Sequence, residues 1–140
     1  MKIIKLLSAS ILLSVCTLQA TAAKSVNNAN YIFAETPAKT IVIKNPSAGD
    51  VNKFFASTTV LMFEVYKAGT AEDLAKIIKS LSSDTNVDRC DQGVLSGDYQ
   101  AITLTLKSNK DKAYFIKLFK KAGLGTIKIN NNAIVAVDQL

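Results

Sequence analysis

Residues 59–106 constrain the fold most, because a strand pattern, a helix pattern and a second strand pattern follow one another there. The stretch begins TTVLMFEVYK, in which Leu61, Phe63 and Val65 alternate with the other residues. A period of two is typical of a strand, and the more apolar odd positions are expected to face the core. The stretch therefore opens with a strand that has one buried face.

The next segment, TAEDLAKIIKSLSS, predicts an amphipathic helix. Thr70 is placed to cap its first turn, and Asp73 three residues later completes a weaker form of the capping box. Apolar residues recur with helical spacing at Leu74, Ile77, Ile78 and Leu81. This single stripe is expected to pack on a sheet.

Two paired strands are predicted to follow, NVDRCDQGVL and YQAITLTLK, joined by the turn Ser96-Gly97-Asp98. In the second strand Ile102, Leu104 and Leu106 occupy one face, which suits an antiparallel sheet covered on one side. In the first strand the apolar residues do not keep one parity, which predicts a bulge near Gly93.

The C-terminal third predicts a second helix and a closing strand. Ser108 or Asn109 is expected to cap a helix over residues 110–122, and Gly123 is expected to end it in a left-handed conformation. The strand TIKIN and a left-handed turn at residues 130–132 follow. The last segment, AIVAV, is either a return strand or a bulged continuation, and the return strand is favoured. The apolar stripe of the helix is Phe115, Leu118, Phe119 and Ala122.

Together these elements predict an α+β fold over residues 58–138, with the order β-α-β-β-α-β of the ferredoxin-like sandwich. Its antiparallel sheet would carry two helices on one face and leave the other face open. Residues 24–57 are predicted to be a linker with two candidate elements, a short strand TIVIK and a helix at residues 50–56 that follows Pro46. The TIVIK strand either joins an edge of the sheet or lies across its open face.

An export signal is predicted at residues 1–23. Two lysines precede an apolar run, and the small residues Ala20-Thr21-Ala22 follow it. Cleavage is expected after Ala22 or Ala23, so we expect the protein in the periplasm or outside the cell. The run of about 13 apolar residues is shorter than the roughly 20 of a spanning helix, so cleavage is preferred to a retained anchor and no membrane span is expected afterwards.

The two cysteines have different expected fates. Cys16 would be a lipidation site only as the new N-terminal residue, and Val15 is unlike the small residue that bacterial lipoproteins carry before that cysteine. Removal of the signal leaves Cys90 as the single cysteine. No intrachain disulfide is therefore predicted.

Composition argues against several classes of function. The chain has no His, which is the commonest general base and the commonest metal ligand. Its formal charge is +6, and removing the two lysines of the signal leaves 15 basic and 11 acidic residues, or +4. The lysines are spread along the chain, which is typical of a solvated surface, and no nucleic-acid partner is predicted.

Residues 59–137 resemble the heavy-metal-associated (HMA-like) domain, a ferredoxin-like module of copper chaperones and metal-transporting ATPases. The resemblance lies in VLMFEV with the helix after it, in the hairpin NVDRCDQGVLSGDYQAITLTL and in KKAGLGTIKIN. It implies the fold. The family's M-x-C-x-x-C motif would fall in residues 66–72, YKAGTAE, which contain no cysteine. Because thiolates hold Cu(I) in such sites, no metal ligand is carried over to this chain and no cofactor is predicted.

Cys90 is the one metal-ligand candidate. It is either a reactive thiol, including one ligand of an intermolecular metal site, or a small residue packed on a strand. Arg89 would favour its thiolate, whereas Asp88 and Asp91 would oppose it, so the packed residue is the preferred interpretation.

Other motifs do not predict chemistry. Asp84, Asp88, Asp91 and Asp98 lack the spacing of a calcium-binding loop and are interpreted as acids of turns and an edge strand. The Ser96 turn has no His to complete a serine triad. Gly123-Leu124-Gly125 follows a helix, whereas a phosphate loop precedes one.

The open face of the predicted sheet is the better functional candidate, because exposed apolar groups on a sheet mark partner surfaces. The alternative is that residues 40–44 or 50–56 cover this face. We hypothesise an exported, non-enzymatic binding module that uses this face or an edge strand for a protein or peptide partner. The alternatives are a degenerate metal-handling or thiol-sensing protein that uses Cys90, with a homodimer as one form, and an enzyme of unknown type. The predicted surface comprises Val60, Met62, Glu64, Tyr66, Thr103 and Thr105.

Overall fold

The computed structural model describes Pro37, residues 39–44 and residues 49–140. The described residues form six strands, three α-helices and a C-terminal 3-10 helix. In chain order they are β1 (Thr40–Ile43), α1 (Val51–Ser57), β2 (Val60–Tyr66), α2 (Ala71–Ser82), β3 (Val87–Ser96), β4 (Tyr99–Leu106), α3 (Lys112–Lys121), β5 (Thr126–Ile129), β6 (Val135–Ala136) and the 3-10 helix Val137–Gln139. The predicted export signal, Cys16 and Pro46 lie outside the described residues.

The sheet has the strand order β3-β4-β2-β1-β5-β6. All neighbouring strands are antiparallel except β1 and β5, which run parallel with Ile41 opposite Ile127. The α+β class is therefore confirmed, but the ferredoxin-like order is not. In that order β2 and β5 would be neighbours, whereas here β1 lies between them.

The TIVIK strand was expected at an edge or across the open face, and both expectations are wrong. β1 is central, and all four of its residues are buried. Ile41 and Ile43 belong to the core on the helix side, while Thr40 and Val42 are buried on the other side, where the Thr40 hydroxyl lies 2.7 Å from that of Thr126. A strand that buries both faces is stabilised in the middle of a sheet, where both of its edges are also paired.

The core lies between the sheet and the helices. The predicted buried faces are confirmed: Leu61, Phe63 and Val65 of β2 are at most 3% exposed. A chain of aromatic rings joins α1, α3 and β2. The ring centroid of Phe115 in α3 lies 4.8 Å from that of Phe55 in α1, and the ring centroid of Phe119 in α3 lies 5.5 Å from that of Phe63 in β2. The helix predicted at residues 50–56 therefore packs into the core through Phe55 and does not cover the open face.

The helix ends follow their capping residues. Thr70 and Asp73 form the predicted capping box of α2. The N-cap of α3 is Asp111, which accepts a hydrogen bond from the backbone N–H of Tyr114 at 2.8 Å, so the expected Ser108 or Asn109 cap is wrong. Gly123 ends α3 with φ of 75°, as predicted.

The β3–β4 hairpin carries the predicted bulge. The register shifts between Gln92 and Leu95, so that Gly93 and Val94 lie opposite one residue, Ala101. A Cβ on Gly93 would lie 3.0 Å from the Ala101 methyl group, which explains the glycine.

A buried glutamine and a tight turn hold the two ends of this bulged segment. The Gln100 side chain is 3% exposed and donates a 2.8 Å hydrogen bond to the Gly93 carbonyl. The hairpin turn is two residues long and has Gly97 with φ of 58° at its first position.

The C-terminal segment returns as predicted. Asn130 adopts a left-handed conformation with φ of 53°, and β6 then pairs antiparallel with β5. The return strand has only two residues, because the chain turns at Val137 into the 3-10 helix and buries that side chain in the core.

Candidate functional site on the open sheet face

The candidate site is the sheet face opposite the helices, which we call the open face. All six residues predicted for it lie on this face of β2 and β4. The strand register places them in successive rows, with Val60 opposite Thr105, Met62 opposite Thr103, Glu64 opposite Ala101 and Tyr66 opposite Tyr99. The alternation of side chains along a strand brings together residues that are 33 to 45 positions apart in the sequence, in rows about 5 Å wide.

Two apolar side chains stand out of this face. Met62 is 71% exposed and Val60 is 53% exposed. Glu64, Tyr66, Thr103 and Thr105 are partly buried by their neighbours. Most large apolar side chains of the described domain are in the core, and this pair in the first half of β2 is exposed, as are Val94 and Leu95 near the end of β3.

A hollow of about 260 Å³ lies beside Met62. The small side chain of Ala101, which lies opposite Glu64, leaves space on this face between the row of Met62 and the row of Tyr66. The hollow is lined by Val42, Lys44, Met62, Glu64, Ala101 and Thr103, with Phe63 and Ile102 beneath. Its volume lies just below the range of about 300–1,000 Å³ that is usual for small-molecule sites.

An ion pair closes one side of the hollow. Lys44 Nζ lies 2.9 Å from Oε1 and 2.8 Å from Oε2 of Glu64. The same Nζ lies 5.8 Å from the ring centroid of Tyr99. Lys44 thus links the end of β1 to the β2–β4 pair and gives the hollow a polar rim.

An aromatic pair bounds the open face at the next row. The Tyr66 and Tyr99 rings lie 5.1 Å apart, and Lys67 Nζ lies 5.2 Å from the Tyr66 centroid. Lys67 itself has a left-handed backbone with φ of 45°, and its N–H donates to the Asp98 carbonyl at 2.8 Å. The hairpin turn is thereby held against the end of β2.

Four further residues belong to this surface and were not predicted from the sequence. Val42 and Lys44 were missed because β1 was not placed beside β2. Ala101 and Tyr99 have the same parity in β4 as Thr103 and Thr105, so the period of two already indicated them.

No family model, curated protein or solved structure matches the chain. The helices of the described residues include none with the length and apolar character needed to span a bilayer.

Cys90 lies away from the open face. It is opposite Leu104 in the β3–β4 ladder, on the helix side, and packs half-buried against the core. Burial raises the pKa of the Cys90 thiol to about 11; a hydrogen bond with Ser82 opposes this rise and the charge of Asp91 adds to it. The thiol is protonated at neutral pH, which disfavours both nucleophilic attack and metal binding.

The four aspartates singled out in the sequence do not converge. Asp84 accepts hydrogen bonds from Asn86 and Tyr114, and Asp91 pairs with Arg89 at 2.7 Å. Asp88 lies at the register shift near the start of β3, and Asp98 belongs to the hairpin turn. Within residues 39–44 and 49–140, no three His, Cys, Asp or Glu side chains are grouped as a metal site would require.

Proposed function

We propose that this protein is a small exported binding module without enzymatic activity, and that its open face binds a protein or peptide partner. The single observation that carries the proposal is the exposure of Met62 beside the hollow, with Val60 exposed two residues earlier on the same face of β2. Exposed apolar side chains next to a concave, mostly apolar surface are what a partner's apolar side chain would bury.

The shape of the site supports a peptide-like partner. The hollow accommodates one apolar side chain, and the Lys44–Glu64 pair at its rim offers a donor and an acceptor for the partner's backbone. A partner that places one aliphatic or aromatic residue in the hollow would bury the exposed part of Met62 as well. Such a central apolar anchor with a polar rim is the usual arrangement of protein interfaces.

The chemistry of the chain supports a binding role over catalysis. The sequence has no histidine, and the thiol of Cys90 has a raised pKa on the helix side of the sheet. Tyr114, whose phenol pKa is also raised, is bound to Asp84 between α3 and the α2–β3 turn, away from the open face.

We propose that the fold of this protein is related to that of the heavy-metal-associated domain. The segment from β2 to β5 has that family's element order, although β1 separates β2 from β5 in the sheet. Metal titration of the natural protein and of Cys90→Ser tests whether a metal function accompanies this fold. We expect that neither protein binds Cu(I) or Zn(II) stoichiometrically through Cys90. Stoichiometric binding that is lost in Cys90→Ser would favour the thiol-sensing or metal-handling alternative.

The binding proposal is tested with a displayed library of random extended peptides selected against the protein. Selected peptides are expected to contain a large apolar residue, to shift NMR signals of β2 and β4, and to bind Met62→Glu at least about tenfold more weakly. Leu95→Glu is the matched control, because Leu95 is 64% exposed but lies opposite Gln100, which belongs to the buried face of β4.

Two results would contradict the proposal. One is a set of selected peptides that bind Met62→Glu as tightly as the natural protein. The other is the failure of every selected peptide to shift the signals of open-face residues.

Export is tested separately by expressing the full sequence in a bacterium and determining the N-terminus of the protein recovered outside the cytoplasm. Ala23 or Lys24 is expected at the N-terminus. A protein that keeps Met1, or one that begins with a lipid-modified Cys16, would contradict the proposed cleavage.

A further inference from the structure

The outer edge of β3 presents backbone groups that no described residue pairs. Leu106 N–H donates to Thr59, on the β2 side, and backbone directions alternate along a strand. Thr105 and Thr103 therefore direct their backbone groups toward β3, where they meet Arg89 and Asp91.

The residues between them point the other way. Cys90 and Gln92 lie opposite Leu104 and Ile102, whose backbone groups face β2. The N–H and C=O groups of Cys90 and Gln92 are thus directed outward from the edge, which makes a template for another strand.

The regular part of this edge is short. The register also shifts between Val87 and Arg89, so the two bulges bound a regular segment of four residues from Arg89 to Gln92. Bulges limit pairing beyond this segment. Any partner strand would therefore form its backbone hydrogen bonds mainly with residues 89–92. The charges of the side chains in these four residues then decide which partner strand fits.

Those charges are self-complementary. Arg89 and Asp91 lie two residues apart on the open face, and Arg89 Nε is 2.7 Å from Asp91 Oδ2 within one chain. Both side chains remain largely exposed at 69% and 47%. An antiparallel copy centred on Cys90 would place Arg89 of each chain opposite Asp91 of the other.

We propose that the partner of the β3 edge is a second copy of this chain, paired antiparallel about a two-fold axis at Cys90. The two Cys90 residues exchange backbone hydrogen bonds, and Gln92 of each chain is opposite Asp88 of the other. The two flanking Arg89–Asp91 pairs are non-hydrogen-bonded positions, where side chains lie closest. The two sheets become continuous, with both open faces on the same side.

The other registers that match outward-facing backbone groups have poorer charges. An axis at Asp91 places the two Asp91 carboxylates against each other, and an axis at Arg89 does the same with the two Arg89 side chains. An axis at Gln92 places Arg89 opposite Leu95. The axis at Cys90 forms two opposite-charge pairs, and like charges directly opposite destabilise a sheet. This assignment does not depend on what the open face binds.

Sedimentation velocity of the full-length protein, over a concentration series, tests the dimer. The natural protein is expected to dimerise as its concentration rises. Arg89→Asp and Asp91→Arg are each expected to weaken the dimer about tenfold or more, because each replaces two attractive pairs by two repulsive ones. Thermal unfolding of each variant checks that it is folded.

The deciding measurement mixes the two variants. Neither variant has the Arg89–Asp91 pair within its own chain, yet an Arg89→Asp chain opposite an Asp91→Arg chain has two opposite-charge pairs across the axis. The mixture is expected to recover heterodimers of natural affinity. A mixture that associates no better than either variant alone, or a natural protein that stays monomeric throughout the series, would overturn the proposal.

Amide hydrogen exchange by NMR tests whether the β3 edge is the interface, whereas the mixture of charge variants tests its register. Exchange of the outward-facing Cys90 and Gln92 amides is expected to slow with concentration, while exchange of Arg89 and Asp91, which are bonded to β4, changes little. Dimers whose Cys90 amide exchanges at the same rate at every concentration would overturn the assignment. The Met62→Glu variant should dimerise normally, which separates this result from the open-face proposal.

Discussion

Tyr114 of α3 donates a hydrogen bond of 2.9 Å to the Asp84 carboxylate in the turn between α2 and β3. The same oxygen of Asp84 accepts the backbone N–H of Asn86 at 2.9 Å. One carboxylate thus fixes the turn that leads into β3 and attaches it to α3. An acid predicted to lie in a turn therefore also connects that turn to α3.

Removing the tyrosine hydroxyl should weaken this connection. We expect Tyr114→Phe to lower the free energy of unfolding by about 1.5 kcal/mol, because a half-buried hydrogen bond to a charged group is lost. Urea unfolding measures the change. Tyr99→Phe is the control, with an expected change below about 0.5 kcal/mol, since Tyr99 contributes ring contacts. Equal effects of the two substitutions would show that the Asp84 bond is not what stabilises the connection.

The same pair predicts how stability depends on pH. The Asn86 N–H is the largest cause that lowers the pKa of Asp84 below its ordinary 3.8, and the Tyr114 bond lowers it further. The unfolded chain therefore takes up the proton first as pH falls. Asp84 contributes stability above about pH 4 that is lost as pH falls through the lowered value of the folded state.

At high pH the free energy of unfolding depends on pH in the opposite direction, because stability is lost as pH rises. Burial, followed by the bond to Asp84, raises the pKa of Tyr114 above its ordinary 10. The contribution of Tyr114 is complete below pH 10 and is lost as pH rises beyond it. Urea unfolding across pH measures both limbs, and Asp84→Asn should flatten the acid limb. An unchanged acid limb would assign the dependence to other carboxylates, such as Asp73, whose pKa is also lowered.

Two glycines with positive φ allow a matched comparison of backbone and side-chain effects. Gly69 has φ of 98°, and a Cβ there would lie 2.5 Å from Asp73 Oδ2, the atom that accepts from Thr70 N–H. Gly97 has φ of 58° and no atom near its Cβ position. We expect Gly97→Ala to cost about 1 kcal/mol for the left-handed backbone and Gly69→Ala about 2 kcal/mol or more, because it also disrupts the capping box. Equal costs in urea unfolding would show that the box adds nothing.

The local patterns of this sequence identified strands and helices but not all of their neighbours. Period-of-two alternation placed Leu61, Phe63 and Val65 correctly, and the capping residues placed α2, because both signals depend on nearby residues. The position of β1 depends on β5, whose residue Thr126 pairs with Thr40 across 86 positions. Nothing local records that pairing. The run of four consecutive β-branched residues in TIVI did carry a usable signal, since it is typical of a strand buried on both faces.

The candidate site was predictable to the same extent. The parity of β2 and β4 gave the predicted six residues of the open face, and the same rule applies to Ala101 and Tyr99. Lys44 and Val42 required the placement of β1. The hollow depends in addition on Ala101 lying opposite Glu64 and beside the Gly93 bulge, which is a matter of register between three strands. Register is set by tertiary packing and is not visible in one strand's sequence.

Cys90 should react slowly in the folded protein. Its thiol is half-buried, and a pKa of about 11 leaves a very small thiolate fraction at neutral pH. We expect labelling by a disulfide reagent at pH 7 to be at least about tenfold slower in the native protein than in urea, and to accelerate as pH rises toward 11. The unfolded chain is the internal control, since there the thiol regains its ordinary pKa. Native labelling as fast as that of the unfolded chain, or quenched by Cu(I) or Zn(II), would contradict the packed role of Cys90 and favour a reactive thiol on β3.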